Sequence, residues 1–131
     1  MATLRLVLVG LICVVPGLLT GCGNSEFETA TGTVTFDGQP VANGDILFQP
    51  ADPQYGPDAG KIIDGKFTVP VRPGSRKVVI RAVRMVPGKK GPMGEDAHED
   101  YIPANYNDKT TLTADVQPGS KNDFTFPLTS K

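Results

Sequence analysis

The chain contains no tryptophan, one histidine and two cysteines in 131 residues. Because His98 is the only histidine, any catalytic triad built on histidine would need that residue as its base. The serines, at positions 25, 75, 120 and 130, stand in a linker, in turns or in the tail, and none has the Gly-x-Ser-x-Gly context of a hydrolase. The sequence therefore predicts a protein that is not an enzyme and has no cofactor.

The sequence also lacks an apolar run long enough to cross a bilayer. The longest, residues 6–19, is 14 residues and is interrupted by Pro16 and Gly17, whereas a spanning helix needs about 20. Arg5 precedes this run, and small residues followed by Cys22 close it. A positive start, a short apolar run and small residues are typical of a secretory signal peptide. We therefore expect residues 1–21 to be a cleaved signal segment.

The end of this segment, Leu19-Thr20-Gly21-Cys22, resembles the lipobox of bacterial lipoproteins. The resemblance implies that Cys22 is acylated and becomes the first residue of the mature protein. Several acyl chains, at about 0.8 kcal/mol per buried methylene, would anchor it stably to membrane lipid. The alternative is an ordinary signal peptide whose removal leaves Cys22 as a free thiol. Gly23 follows the cysteine, and by analogy with lipoprotein sorting this favours the outer membrane, with the domain facing the periplasm or the cell surface.

The 110 residues after the signal segment suit one domain. Since Arg5 is the only charge removed, they carry 12 basic and 14 acidic side chains, and a balance so near zero argues against nucleic acid as a partner. With Cys13 in the signal segment and Cys22 acylated, no disulfide is available. We expect residues 22–28 to be the lipidated cysteine with a polar linker, and residues 29–131 to form a single domain stabilised by an apolar core.

Proline and glycine are abundant, at 12 and 15 residues, and they separate short runs rich in Val, Ile, Phe and Thr. This distribution predicts an all-β sandwich or barrel. The clearest strand begins at Thr29, where threonines alternate with smaller or apolar residues. The side chains predicted to point inward along all strands are Ala30, Gly32, Val34, Phe36, Ile46, Phe48, Phe67, Val69, Val71, Val78, Ile80, Ala82, Leu112, Ala114, Val116, Phe124, Phe126 and Leu128.

Turn residues mark where the strands end. Asp64-Gly65 is the strongest hairpin signal, because both central positions of a type I′ turn need positive φ. Further turns are predicted at Asp37-Gly38, Asn43-Gly44, residues 72–74 and Pro118-Gly119. Residues 76–86 are predicted to form the longest strand and residues 87–109 an irregular loop. Pro127 favours an edge position for the last strand, where a missing donor costs little.

Three segments carry a family resemblance: TGTVTFDGQPV at 31–41, DGKFTV at 64–69 and RPG at 72–74. They are similar to the hairpins of carboxypeptidase regulatory-like domains, also called transthyretin-like or prealbumin-like, and the similarity covers residues 29–86. The tail from Tyr101 to Phe126 resembles the second half of small bacterial lipoproteins built on this domain. The resemblance implies a Greek-key β-sandwich of about seven strands, in a class of domains that mostly serve as non-catalytic accessory, adhesive or scaffold modules.

One polar cluster could bind a metal, and its members are Glu95, Asp96, His98, Glu99 and Asp100. Carboxylate oxygens suit calcium, and the histidine could join them for zinc. However, neighbouring carboxylates converge on one ion only if the backbone wraps around it, and no glycine lies inside the cluster. The favoured interpretation is a solvated acidic loop, balanced by Lys89 and Lys90, that holds no metal.

Basic residues gather along the predicted long strand, with Arg72, Arg76, Lys77, Arg81 and Arg84 followed by Lys89 and Lys90. Such a stripe could contact anionic lipid headgroups or an acidic polymer. More often, charges of this kind protect an exposed strand from pairing with another chain. We favour the protective role.

The sequence thus predicts an exported, membrane-anchored and non-catalytic structural or interaction module at the bacterial cell envelope. Its partners would be membrane lipid, through acylated Cys22, and an envelope protein or glycan whose identity the sequence does not give. The alternative is a polysaccharide- or peptide-binding module that uses the loop at residues 87–109. In that case Tyr101 and Tyr106 are candidate ligand contacts, and Tyr55 could join them in a sugar-stacking platform.

Overall fold

The computed structural model describes residues 26–131, so the predictions for the signal segment, the lipobox and Cys22 lie outside the described residues. Within that range the chain forms ten strands and one 3₁₀ turn, with no α-helix. The strands are β1 (Glu28–Phe36), β2 (Gln39–Pro40), β3 (Asn43–Pro50), β4 (Asp58–Ile63), β5 (Lys66–Val71), β6 (Gly74–Arg81), β7 (Val83–Lys90), β8 (Asp96–Asp100), β9 (Thr113–Val116) and β10 (Asn122–Leu128). The 3₁₀ turn is Ala104–Tyr106. The all-β prediction is confirmed, and no helix in residues 26–131 could span a membrane.

Eight of these strands form one sheet, in the order β10-β1-β5-β4-β3-β6-β9 with β2 paired to β1. Neighbours in this sheet run antiparallel, except β1 and β10, which run parallel. β7 and β8 form a separate two-stranded sheet. The strand order contains seven strands, and the additions to it are the short β2 and the β7–β8 hairpin.

The main sheet curls so that its two halves face each other across the core. The Phe48 ring of β3 lies 6.1 Å from the Phe67 ring of β5 and 6.3 Å from the Phe124 ring of β10. These rings belong to strands that are not neighbours in the sheet. The contacts therefore join the two halves of the curled sheet across the core, which gives the fold a sandwich-like form.

The predicted inward side chains do form the interior. All of them are buried except Gly32, Phe36, Leu112 and Phe124, which are half-buried. The outward threonines of β1 are exposed or half-buried, as period-two alternation requires. A single cluster of buried side chains contains residues from β1 to β10.

Two aspartate–glycine turns form as predicted. Asp37 and Gly38 have φ angles of 48° and 82°, and Asp64 and Gly65 have φ angles of 51° and 75°. Positive φ at both central positions is the geometry of a type I′ turn, whose twist suits a tight hairpin. These turns set the register of β1 with β2 and of β4 with β5.

The predicted turn at Asn43-Gly44 is wrong, because both residues lie inside β3. Asn43 pairs with Ile63 and Gly44 with Ile62 on β4. A Cβ at Gly44 would lie 2.7 Å from the backbone oxygen of Arg81. Glycine is therefore needed here for the close approach of β6 to β3, and its presence is not a turn signal.

Residues 76–86 are in strands as predicted except at Ala82, but the prediction of one continuous strand is wrong, because the chain leaves the main sheet at Ala82 and the two parts belong to β6 and β7. β6 pairs with β3 as far as Arg81, Ala82 is buried, and Val83 is 56% exposed at the start of β7. The predicted loop at residues 87–109 contains the end of β7, all of β8 and the 3₁₀ turn. Both faces of this hairpin are largely exposed, so its sequence lacks the apolar alternation that reveals a strand.

The last strand lies at an edge of the main sheet, as Pro127 predicts. β10 stands at one end of the strand order, where Pro127 is opposite Thr35 of β1. A residue without an N–H costs no ladder hydrogen bond on the open side of an edge strand.

Strand register defines two ends of the molecule. The proximal end holds the start of β1, the end of β5 and the starts of β6 and β10, since Glu28 is opposite Val71 and Ala30 is opposite Asn122. The distal end holds the end of β1, the β4–β5 turn and the base of the β7–β8 hairpin. The chain therefore enters the fold at the proximal end, and the hairpin departs from the distal one.

Candidate functional site

An ion pair between a buried aspartate and a half-buried arginine organises the proximal end. Asp58, the first residue of β4, is 8% exposed. One of its carboxylate oxygens accepts a hydrogen bond from the Arg72 guanidinium, and the other accepts one from the Arg72 backbone N–H, both at 3.0 Å. Arg72 lies between β5 and β6, so the pair ties this turn to β4. Truncating either partner would leave the other charge poorly compensated.

Two aromatic side chains flank the same guanidinium. Its central carbon lies 4.9 Å from the centroid of the Phe27 ring and 6.0 Å from that of the Tyr55 ring. The Glu26 carboxylate lies 3.6 Å from Arg72 Nε. Phe27 is 38% exposed and Tyr55 51% exposed, so an arginine in contact with two aromatic rings forms part of the surface. We call Phe27, Tyr55 and Arg72 the proximal cluster.

The proximal cluster shows that the last residues of the predicted linker belong to the fold. Glu28 is already in β1, opposite Val71, and Glu26 and Phe27 both contact Arg72. The sequence analysis missed Asp58, although period-two alternation with Ile62 along β4 places the two on one face.

The acidic cluster does not converge on a common point. Its members lie on or beside β8, where successive side chains point to opposite faces. Glu99 pairs with Arg84 and Asp96 with Lys90, while the Asp100 carboxylate accepts the Ile102 N–H at 3.1 Å. The Glu95 carboxylate accepts the Met93 N–H at 3.0 Å. Among residues 26–131 no group of three or more His, Cys, Asp and Glu side chains could hold a metal ion.

The residues available for nucleophilic catalysis are dispersed. His98 is exposed on β8, opposite Met85. Ser75 lies in β6 rather than in the predicted turn, Ser120 and Ser130 are exposed, and Ser25 lies outside the described range. No serine hydroxyl in residues 26–131 donates to the His98 ring, so nothing there prepares a serine as a nucleophile.

The basic stripe is divided among separate partners. Arg72 pairs with Asp58, Arg81 with Asp108, Arg84 with Glu99 and Lys90 with Asp96. Arg76 is 8% exposed and donates to the backbone oxygens of Arg72 and Pro73 at 3.0 Å. Four of the seven charges are thus paired with carboxylates of their own chain, which weakens the net field that the stripe offers to an anionic polymer.

Tyr101 and Tyr106 lie near the distal end, where their own chain already engages them. The Tyr101 ring meets the Phe36 ring edge-on at 5.4 Å and has the Arg84 guanidinium 5.3 Å from its centroid. Burial raises the pKa of Tyr101, and the nearby Arg84 charge partly offsets this. Hydrogen bonds with the Thr129 hydroxyl and backbone N–H lower the pKa of Tyr106. Tyr55 lies at the proximal end, so the three tyrosines do not form one platform.

The distal end also carries a surface that the sequence analysis did not single out. A depression of about 310 Å³ lies over the distal ends of β3, β4 and β6. Ile63 and Val83 line it and are 60% and 56% exposed. On the adjoining hairpin Met85 is 56% exposed and Met93 94%. We call Ile63, Val83 and Met85 the distal apolar patch, whereas Met93 lies apart from it at the tip of the hairpin.

Comparison with known proteins adds little to this geometry. No family of known proteins matches the chain, and no curated protein does. Among solved structures it is similar to a 9R-lipoxygenase from Cyanothece PCC8801, at 15% identity and a TM-score of 0.35. The alignment covers 79% of this chain and 16% of the lipoxygenase chain. A similarity at this level indicates neither a shared fold nor a shared activity.

Proposed function

We propose that this chain is a bacterial lipoprotein, exported and anchored to a membrane by acylated Cys22, which acts as a non-catalytic interaction module at the cell envelope. The observation that carries the proposal is the Leu19-Thr20-Gly21-Cys22 pattern directly after a short apolar run. The outer membrane is the favoured location because Gly23 follows the cysteine. The signal segment would be residues 1–21.

The start of the fold supports a short tether. Glu26 and Phe27 already contact Arg72, and β1 begins at Glu28. Only residues 23–25 separate these contacts from Cys22, so the fold would follow the anchor almost at once. An anchored chain of this kind would hold its proximal end near the bilayer and present its distal end to the envelope.

We also propose that the fold is a Greek-key sandwich of the carboxypeptidase regulatory-like kind. Support comes from the strand order β6-β3-β4-β5 within the main sheet. Here β3, β4 and β5 are neighbours in succession, and β6 returns to lie beside β3. Three strands joined in succession, with the fourth returning beside the first, define a Greek key. Modules of this class would act by binding, which agrees with the dispersed positions of His98 and the serines.

The distal apolar patch is the surface that we assign to a partner protein. Clustered exposed apolar side chains on a soluble domain mark interaction sites, and a two-stranded hairpin by itself is only marginally stable in water. The alternative, a glycan- or peptide-binding loop at residues 87–109, has less support because Phe36 and Thr129 already engage Tyr101 and Tyr106.

The anchor is tested by metabolic labelling with a clickable fatty acid. We expect the wild-type chain to incorporate the label and to sediment with membranes, and Cys22→Ser to lose the label. Cys13→Ser is the matched control, because Cys13 lies within the predicted signal segment and its loss should leave labelling unchanged. A wild-type chain that carries no acyl chain, or a labelled Cys22→Ser variant, would contradict the proposal.

The interaction surface is tested by site-specific photocrosslinking in intact cells. A crosslinker in place of Met85 should yield a discrete product with an envelope protein, because that side chain is 56% exposed in the patch. The control position is Lys121, which is exposed at the proximal end. Equal crosslinking from both positions, or a product from Lys121 alone, would argue against the distal patch as the binding surface.

A further inference from the structure

We infer that the proximal cluster is a membrane-interface surface, with Phe27 and Tyr55 lying in the headgroup layer of the bilayer that anchors Cys22. This inference rests on the proposed lipid anchor and adds to it an orientation of the fold. The ligand that we assign to the cluster is a zwitterionic phospholipid surface. The inference depends on the short length of chain between Cys22 and the exposed aromatic side chains of the cluster.

The reach follows from chain length. Cys22 and Phe27 are five residues apart, and an extended chain spans at most about 3.6 Å per residue, so the two lie within about 18 Å of each other. The headgroup layer on each side of the hydrocarbon is about 5–8 Å thick. Phe27 can therefore reach that layer. Tyr55 contacts the same Arg72 guanidinium as Phe27, so its ring lies close enough to reach the layer as well.

The opposite end has no such access while the proximal end faces the membrane. β1 has nine residues, which span about 30 Å at 3.3 Å each. In this orientation the base of the β7–β8 hairpin lies about that much farther from the bilayer, and the hairpin, exposed on both faces, does not pack back along the fold. The distal apolar patch then remains free for a partner, as the proposed function requires.

The chemistry of the proximal cluster suits the interface between lipid and water. Tyrosine concentrates at headgroup level, because its ring is apolar and its hydroxyl can stay in water, and a neighbouring phenylalanine adds apolar area that can be buried at the same depth. Phe27 and Tyr55 are 38% and 51% exposed, although each offers a large apolar surface. The Arg72 guanidinium that both rings approach is held by Asp58, so the two rings pack against a fixed part of the fold.

The charge around the cluster decides which lipid it fits. The charged side chains next to it are the carboxylates of Glu26, Glu28, Asp52 and Asp58 and the cations Arg72 and Arg76. An excess of carboxylates would be repelled by an anionic surface. Binding would therefore depend on aromatic burial next to zwitterionic headgroups such as phosphatidylethanolamine, and would change little with salt.

The test uses the acylated full-length protein in vesicles of phosphatidylethanolamine and phosphatidylcholine. Because Cys13 is removed and Cys22 acylated, a cysteine introduced by Gly56→Cys or Met93→Cys is the only free thiol for an environment-sensitive dye. Gly56 is exposed next to Tyr55, and a side chain there meets nothing within 4 Å. We expect headgroup spin-labelled lipid to quench the dye several-fold more at position 56 than at position 93.

Two double variants separate the aromatic contribution from the tether. Phe27→Ser/Tyr55→Ser should lower quenching at position 56 towards that at position 93, whereas Val83→Ser/Met85→Ser at the distal end should leave it unchanged. Equal quenching at the two positions, or unchanged quenching in the aromatic double variant, would overturn the inference without contradicting the acylation of Cys22. A protein mass without acyl chains would overturn the proposed anchor itself, and the orientation with it.

Discussion

Replacing Phe48 with alanine is expected to lower the free energy of unfolding by about 3–5 kcal/mol, as for other large-to-small changes at buried aromatic positions. Phe48 is 0% exposed, and its ring approaches both Phe67 and Phe124. It therefore connects the two facing halves of the main sheet. An alanine would leave a cavity between strands whose backbones are fixed by hydrogen bonds, so the site could collapse only partly.

Chemical denaturation of the purified chain measures this effect. Met93→Ala removes a comparable apolar side chain from a position that is 94% exposed, and we expect it to change stability by less than about 0.5 kcal/mol. Phe48→Leu keeps most of the buried volume, so its loss of unfolding free energy should lie between those of Phe48→Ala and Met93→Ala. If Phe48→Ala and Met93→Ala were destabilised equally, Phe48 would not be at the centre of the core.

Replacing Gly32 with alanine is expected to cost about 3 kcal/mol, at the upper end of the usual penalty for overpacking. Gly32 lies in β1 between β5 and β10. A Cβ there would overlap the backbone carbonyl of Phe124 and lie 2.7 Å from the tip of the Phe67 ring. Because that carbonyl is part of the neighbouring strand, relief requires β1 and β10 to separate.

Thermal unfolding tests the prediction for Gly32. For a domain of this size a loss of 1 kcal/mol lowers Tm by about 4–8 °C, so we expect Gly32→Ala to melt at least about 10 °C below the wild type. Gly56→Ala is the matched control, since nothing lies within 4 Å of the added methyl group. That control should be neutral or stabilise by about 0.4–1 kcal/mol through the unfolded state. An unchanged Tm for Gly32→Ala would show that β1 and β10 are not packed as described.

Much of the main sheet could be predicted from local patterns. Along β5, Phe67, Val69 and Val71 alternate with polar residues and proline, and all three are buried. Asp64-Gly65 fixes the adjoining turn because few other pairs accept positive φ twice. In such strands one face is exposed to solvent and the other is buried, so the alternation of polar and apolar residues shows which side chains point into the core.

The hairpin and the close approaches could not be predicted in the same way. β7 and β8 expose both faces, so no apolar period marks them. At Gly44 the deciding fact is the nearness of the Arg81 backbone, which is 37 residues away along the chain. Asp58 and Arg72 form their pair across 14 residues, and neither residue by itself reveals the other.

The sequence by itself determined the all-β class, most of the inward side chains and the tight aspartate–glycine turns, because each depends on residues adjacent along the chain. It also supplied the pattern at Leu19–Cys22 from which a lipid anchor is proposed. Only the tertiary structure decided that the acidic cluster is spread along a strand, that four residues of the basic stripe pair with separate carboxylates and that Phe27 and Tyr55 both lie against Arg72. These arrangements depend on which distant segments meet when the sheet curls around its core, and strand alternation carries no information about that.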